Sequence, residues 1–189
     1  MSQKILGIIG GGQLGSMLSV AAKKLDIQTT VYCDDKEAPV QNFCDEFIFG
    51  AYDDKEKILE FAKKVDVVTY EFENIPFETL NEINKLKPVL PKPSVNRLIQ
   101  HRLAEKDFIN KLNIRTTRYV SVEKKSDIDT LADFLPGILK TTTMGYDGKG
   151  QYPIKKIEDL NLLNIDFSKG YILEKLVKLK KEISVIVTR

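Results

Sequence analysis

An apolar run, a glycine-rich turn and a helical stripe follow one another at the start of this chain, and few folds accept that order. Lys4 to Ile9 is a short apolar segment, Gly10-Gly11-Gly12-Gln13-Leu14-Gly15 breaks it, and Leu14, Leu18, Ala21, Ala22 and Leu25 then fall on one face of a helix. The pattern recurs. Gln28 to Cys33 reads as a second strand ending at Asp34 and Asp35, and Phe47 to Phe49 as a third. Asp53 or Asp54 can cap a helix buried through Ile58, Leu59, Ala62 and Val65. Asp66 to Tyr70 follows as a fourth strand, Phe77 to Lys85 as a helix, and Val89 with Leu90 as a fifth strand. Strands alternating with helices specify a parallel, doubly wound sheet.

Gly10, Gly12 and Gly15 match the spacing of a dinucleotide fingerprint, with Asp34 where that fold keeps an acid for a ribose. A nicotinamide-dependent oxidoreductase is therefore one reading. The same glycines serve any phosphate ligand at a helix N-terminus, or simply let strand and helix pack closely.

Beyond Pro88, Pro91 and Pro93 the character changes. Ser94 can cap a helix, and helical spacing through Arg102 continues to Leu112, with Leu103, Phe108 and Leu112 on its buried side. From Thr116, strand candidates at Tyr119-Val120, Gly137 to Lys140, Gln151 to Ile154, Tyr171 to Lys175 and Glu182 to Val187 alternate with helices near Ile128 to Phe134 and Ile157 to Leu162, an α+β arrangement. Within it, Ile138 to Gln151 runs from an apolar strand carrying Lys140 through three threonines into Gly145, Tyr146, Asp147, Gly148, Lys149 and Gly150. Such a segment suits a hairpin tip over polyphosphate, since glycines admit close backbone approach and amides and ammonium groups meet phosphate oxygens. Asp147-Gly148 would also serve as an ordinary hairpin turn. The chain stops at Thr188-Arg189 directly after an apolar β-type run and reads as cut short.

The totals exclude several classes. With 29 Lys and Arg against 27 Asp and Glu, the net charge of +2 makes no electrostatic case for nucleic acid. No apolar run approaches the roughly 20 residues that span a bilayer. His101 is the one histidine and lacks a partner acid or nucleophile, and no His/Cys cluster has metal-ligand spacing. Cys33 and Cys44 suit free thiols in a reducing cytoplasm.

Taken in order, five segments resemble the ATP-grasp superfamily and, within it, the 5-(carboxyamino)imidazole ribonucleotide synthase family of purine biosynthesis. They are Gly10 to Gly15, Thr69-Tyr70-Glu71-Phe72-Glu73-Asn74, Arg102 with Lys106, Lys140 with Gly145 to Gln151, and Glu174-Lys175-Leu176-Val177 with Glu182. The resemblance covers the whole chain, and Gly-Tyr-Asp-Gly-Lys-Gly-Gln is its most specific part. It implies a Rossmann-like parallel-sheet domain over 1–92, a linker helix region over 93–115, and over 116–189 the α+β small lobe of an ATP-grasp fold, truncated before the large catalytic lobe. Lys140 and Arg102 would contact ATP phosphates, and Gly145, Tyr146, Asp147, Gly148, Lys149, Gly150 and Gln151 would fold over them. Backbone groups of Glu174 to Val177 would read adenine, with Leu176 and Val177 against the ring, and Glu182 would take the ribose hydroxyls. Gly12, Gln13 and Leu14 would cradle the phosphate of 5-aminoimidazole ribonucleotide, with Glu71 hydrogen-bonding that substrate. Asp34 becomes a turn acid, and Glu73 caps or pairs locally.

The reaction implied is an ATP-dependent carbon–nitrogen ligation in which bicarbonate forms carboxyphosphate and the amine of 5-aminoimidazole ribonucleotide captures it. The ligands of magnesium and the catalytic residues are expected beyond Arg189, so no metal site is assigned within the chain. The partners expected are small molecules, with no nucleic acid and no membrane, and a homodimer is left open. Competing readings are another ATP-grasp ribonucleotide ligase or transformylase, a noncatalytic nucleotide-binding module, and the NAD-dependent oxidoreductase.

Overall fold

The structure is a computed structural model and describes residues 4–124, 127, 131–145, 149–163 and 165–187. It divides into two compact units, Met1–Gln100 and His101–Arg189. The division falls inside the segment 93–115 that the sequence suggested as a connection.

The first unit is a four-stranded parallel sheet of β1 (Ile5–Ile9), β2 (Gln28–Cys33), β3 (Glu46–Phe49) and β4 (Val67–Tyr70), in the order β3-β2-β1-β4. Helix α1 (Gln13–Lys23) joins β1 to β2, and α2 (Lys55–Lys64) joins β3 to β4. Asp54 is the cap of α2, its carboxylate accepting from Lys57 N at 3.2 Å. Ile9, Tyr32 and Val68 face one side, where α2 and α3 (Phe77–Asn84) bury Ile58, Phe61, Leu80 and Ile83 against them. Ile8, Val31 and Cys33 face the other, under Val40 of a short 3-10 turn that lies beside α1. Strand alternation thus commits adjacent residues of β1 to opposite cores.

Of the helical stripe expected for α1, only Ala22 is buried. Leu14, Leu18 and Leu25 are 56%, 38% and 71% exposed, and the buried residues are Gly15, Ser16, Ser19 and Ala22. Small residues win because the helix lies so close that a Cβ at Gly15 would sit 2.7 Å from the Gly10 carbonyl oxygen. The two buried hydroxyls are satisfied within the helix, Ser16 Oγ donating to Gly12 O and Ser19 Oγ to Gly15 O, each at 3.0 Å.

The expected fifth strand is reduced to one bridge. Val89 pairs in parallel with Val68, whose N–H donates to Pro88 O and whose carbonyl accepts from Leu90 N, both at 2.9 Å. Pro88 and Pro91 carry no N–H, so the ladder goes no further. In helix α4 (Pro93–Ile99) the N-cap position falls on Lys92 rather than on Ser94, because Pro93 already occupies the first turn with its fixed φ and missing donor. Its buried Asn96 donates to Ile75 O at 3.1 Å, and Gln100 Nε2 donates to Glu73 O and Ile75 O, which ties α4 into the first unit.

The second unit is an antiparallel sheet of β5 (Tyr119–Val122), β6 (Gly137–Thr141), β7 (Gln151–Ile154) and β8 (Tyr171–Lys175), in the order β5-β8-β6-β7. Val122, Leu139, Ile154 and Leu173 form its core together with Leu131 and with Leu160 of α6 (Ile157–Leu162). Helix α5 (Arg102–Lys111) begins at His101, whose Nδ1 accepts from Ala104 N at 3.3 Å. That gives the one histidine a capping role.

Three expectations for this unit change. Helix α5 has no buried residue, and Phe108 and Leu112 are 47% and 56% exposed, because polar side chains attach it instead: Tyr119 Oη donates to Asp107 and accepts from Asn110 Nδ2. In the segment Ile128 to Phe134, Ala132–Phe134 is a 3-10 turn and 128–130 lie outside the described residues. Residues 182–187 are exposed and belong to no sheet, since a β-type sequence becomes a strand only where another strand meets its N–H and C=O groups. Among the described residues no helix is long and apolar enough to cross a membrane.

Candidate functional site

In the first unit the strand order reverses at β1, since β2 and β3 lie on one side of it and β4 on the other. A crevice opens beyond the carboxyl ends of strands at such a point, and ligands of doubly wound sheets bind there. Here it is a cleft of about 270 Å³ lined by Gly10, Gly12, Cys33, Asp34, Tyr52 and Glu71, among others. Gly10 has φ +103 and directs its amide to Tyr32 O at 2.9 Å, a turn that carries the chain from β1 into α1.

The first helical bond of α1 is Ser16 N to Gly12 O at 3.1 Å, so the amides of Gly12, Gln13, Leu14 and Gly15 have no acceptor within the helix. One of them has found an anion. Glu71, held at the end of β4 by its own amide donating to Ile9 O, places Oε1 2.9 Å from Gly12 N. A carboxylate on a helix N-terminus is stabilised by both the amide and the helix dipole. Glu71, expected to bond a substrate, thus also occupies part of the phosphate cradle expected of Gly12. Gln13 and Leu14 are exposed beside it, Asp34 is exposed at the cleft, and Glu73 is exposed outside it.

One neutral phenol, Tyr52, lines the cleft, and a second, Tyr32, is buried in the core behind it. Tyr52 Oη donates to Cys33 Sγ at 3.7 Å, and burial pushes its pKa well above the ordinary tyrosine value. Tyr32 Oη donates to Ala51 O at 2.7 Å, and burial, followed by the nearby charges of Asp54, Asp53 and Asp34, pushes its pKa up to about 12. Both therefore stay protonated across the physiological range.

In the second unit the strand register sorts the expected residues onto one face. Lys140 stands opposite Gln151 and Ile172, and Glu174 stands opposite Ile138 and Tyr119. Directly opposed residues share a face, so Lys140, Gln151 and Glu174 lie together, away from the core of Leu139, Tyr152 and Leu173. Glu174 is 8% exposed and divides its carboxylate between two lysines: Oε2 accepts from Lys140 Nζ at 2.9 Å, and Oε1 lies 3.2 Å from Lys106 Nζ.

Arg102 anchors the root of the β6–β7 hairpin. Its Nη1 donates to Thr141 O at 2.8 Å, its Nη2 donates to Gly145 O, and its amide donates to Thr142 O at 2.9 Å. Gly150, at φ +68, returns the chain to β7, and Thr141 N donates to its carbonyl at 2.9 Å. The Thr141 hydroxyl, buried against Gly145 and Gly150, has no hydrogen-bond partner among the described residues. Tyr146, Asp147 and Gly148 lie outside the described residues, and Lys149 is exposed.

Other expected site residues are placed less suggestively. Lys175 turns away, its Nζ donating to Asp133 O and Leu135 O at 3.0 and 3.1 Å. Leu176, Val177 and Glu182 are exposed. From sequence Lys106 stands only beside Arg102, without a role. The signal was there, because 102 and 106 are one helical turn apart and share a face of α5. Among the described residues no three His, Cys, Asp or Glu side chains come together to hold a metal.

Residues 3–100 match the ribonucleotide synthetase preATP-grasp domain family, and residues 107–189 match the ATP-grasp domain family. The chain is 35% identical over 187 residues to the N5-carboxyaminoimidazole ribonucleotide synthase of Staphylococcus aureus (strain COL), covering 97% of this chain and 50% of that protein. It is similar to a solved ADP complex of N5-carboxyaminoimidazole ribonucleotide synthetase, with a TM-score of 0.88, 35% identity, and coverage of 95% of this chain and 48% of that one. A second similar structure is the Aspergillus clavatus N5-carboxyaminoimidazole synthase in complex with ADP and 5-aminoimidazole ribonucleotide, with a TM-score of 0.81, 25% identity, and coverage of 94% and 48%. The chain thus spans about half the length of the Staphylococcus aureus relative and of these two structures. Two family matches in sequence order, falling on a parallel α/β unit and an antiparallel unit that bears a lysine-rich face, show that the chain belongs to the ribonucleotide synthetase preATP-grasp family and continues into an ATP-grasp domain.

Proposed function

We propose that this chain provides the ribonucleotide cleft and the nucleotide-binding face of a ligase that carboxylates 5-aminoimidazole ribonucleotide in purine biosynthesis. Bicarbonate attacks the γ-phosphorus of ATP, breaking its bond to the bridging oxygen and giving carboxyphosphate and ADP. The exocyclic amine then bonds to the carboxyl carbon, phosphate leaves, and 5-(carboxyamino)imidazole ribonucleotide results. The observation that supports this best is the face on which Lys140 and Lys106 share the single carboxylate of Glu174. Two ammonium groups on one carboxylate leave a net positive charge, which suits a polyphosphate.

On this reading Lys140 and Arg102 meet phosphate oxygens, Gly145 to Gln151 cover them, Glu174 to Val177 border the adenine, and Glu182 takes the ribose. For Arg102 this requires exchanging the carbonyls of Thr141 and Gly145 for phosphate. In the first unit the phosphate of 5-aminoimidazole ribonucleotide meets the amides at Gly12 to Leu14, while Glu71 turns to its amine or ribose. The protein's contribution is positioning, charge neutralisation and shelter of a labile intermediate from water. Magnesium would add Lewis-acid neutralisation of the phosphates, from ligands outside this chain. The setting is the cytoplasm, in keeping with two free cysteines.

Calorimetric titration of the chain with ATP, ADP, NAD and 5-aminoimidazole ribonucleotide tests the reading. Adenosine polyphosphates should bind at least about tenfold more tightly than NAD, a difference of about 1.4 kcal/mol. Tighter binding of NAD would overturn it in favour of a dehydrogenase that uses Gly10 to Gly15 and Asp34.

A further inference from the structure

Lys140 and Glu174 stand diagonally on neighbouring strands, and by themselves they would close into a neutral pair. Such a pair offers a polyanion little. Drawing the ammonium away would leave a carboxylate that is 8% exposed without a partner, and an unpaired buried charge is strongly unfavourable. Lys106 changes this balance. Its side chain is 15% exposed, its Nζ sits 5.5 Å from the centre of the Tyr119 ring, and it lies 3.2 Å from the Glu174 oxygen that Lys140 does not use. Its helix is fixed locally, since Asp107 and Asn110 of α5 both bond Tyr119 Oη.

We infer that Lys106 is a positioning residue for polyphosphate binding: by holding Glu174 through Oε1 it keeps that carboxylate paired while Lys140 turns to the phosphates, and it leaves the face with net charge +1 rather than zero. The inference rests on the nucleotide reading of this face. It assigns Lys106 no contact with the ligand. Its effect passes through Glu174, so removing the charge of Glu174 should remove the need for Lys106.

Four forms of the chain test this: the unsubstituted chain, Lys106→Met, Lys106→Arg and the double variant Lys106→Met with Glu174→Gln. Each is titrated with inorganic tripolyphosphate, ATP and adenosine, with thermal melts run alongside. Lys106→Met should bind tripolyphosphate and ATP about tenfold more weakly and adenosine unchanged. Lys106→Arg should stay within about threefold of the unsubstituted chain, and the double variant should recover most of the loss, as a coupled pair requires. The weakening should shrink at high salt. Lys106→Met within twofold of the unsubstituted chain, or a double variant no better than Lys106→Met, would overturn the inference. Tripolyphosphate binding that follows the expected order with no preference of ATP over NAD would sustain the role of Lys106 and overturn the adenine reading instead. Absence of any polyphosphate binding by the unsubstituted chain would overturn both.

Discussion

Glu71 is placed where its own carboxylate competes with the anion that the α1 terminus would accept. Gly12 N–H points at Oε1 from 2.9 Å, and a Cβ on Gly12 would meet that same oxygen at 3.3 Å. A side chain at position 12 would therefore press on Glu71 first. Gly12 itself has φ −75, so its backbone alone would tolerate one. The sharper test is Glu71→Gln, which keeps the shape and removes the charge. Inorganic phosphate should then bind the first unit about three- to tenfold more tightly, because a like charge has left the site. 5-Aminoimidazole ribonucleotide should bind about tenfold more weakly, because its hydrogen-bonding acid is gone. Amide shifts of Gly12, Gln13 and Leu14 during titration read both. Equal changes for the two ligands would mean that Glu71 only caps the helix.

At the scale of elements, α1 is the instructive case. Most of its apolar stripe is turned outward, through Leu14, Leu18 and, just past the helix, Leu25, while of that stripe Ala22 alone joins Gly15, Ser16 and Ser19 on the buried face. Gly15→Ala forces a methyl to 2.7 Å from a backbone oxygen that cannot swing away, and should destabilise the first unit by about 1–3 kcal/mol. Leu18→Ser, on the outward stripe, should change stability by less than about 0.5 kcal/mol. Denaturant midpoints measured on both variants check the pair, and a reversed order would mean that the stripe is the packed face. The sequence carried a signal for the true face too: the glycine and serines recur near helical spacing, but polarity disguised them as a solvent side.

For the whole molecule, the chain spans about half the length of the Staphylococcus aureus relative, and its described residues bring no three metal-binding side chains together. Lys140, Lys106 and Arg102 offset only part of the charge that grows on a γ-phosphate under attack, and the rest is assigned to magnesium. Residues 1–189 assayed with ATP, magnesium, bicarbonate and 5-aminoimidazole ribonucleotide should therefore release phosphate at background rate, while still binding ATP. Substrate-stimulated turnover by these residues alone would place the metal ligands among them.

Much of this protein can be derived from local pattern. Alternation of apolar strands with helices dictates the parallel unit, because each strand that runs into a glycine turn and a helix must return in the same direction. β1, β2, β4 and α2 accordingly lie where periodicity puts them. Lys140 and Gln151 are legible as parts of the strand and glycine-rich segment 138–151, whereas Glu174 is a candidate only through the family resemblance. Tertiary structure decided what depends on residues distant in the chain. Strand register, through pairings such as Lys140 with Gln151 and Ile138 with Glu174, put those three side chains on one face. The approach of α5 added Lys106 to Glu174 across 68 residues of sequence. The close approach of α1 to the β1 turn chose glycine and serine over leucine for the buried face. At Val89 and at 182–187, β-type residues do not become strands, since a strand is completed by hydrogen bonds from a neighbour and not by its own composition.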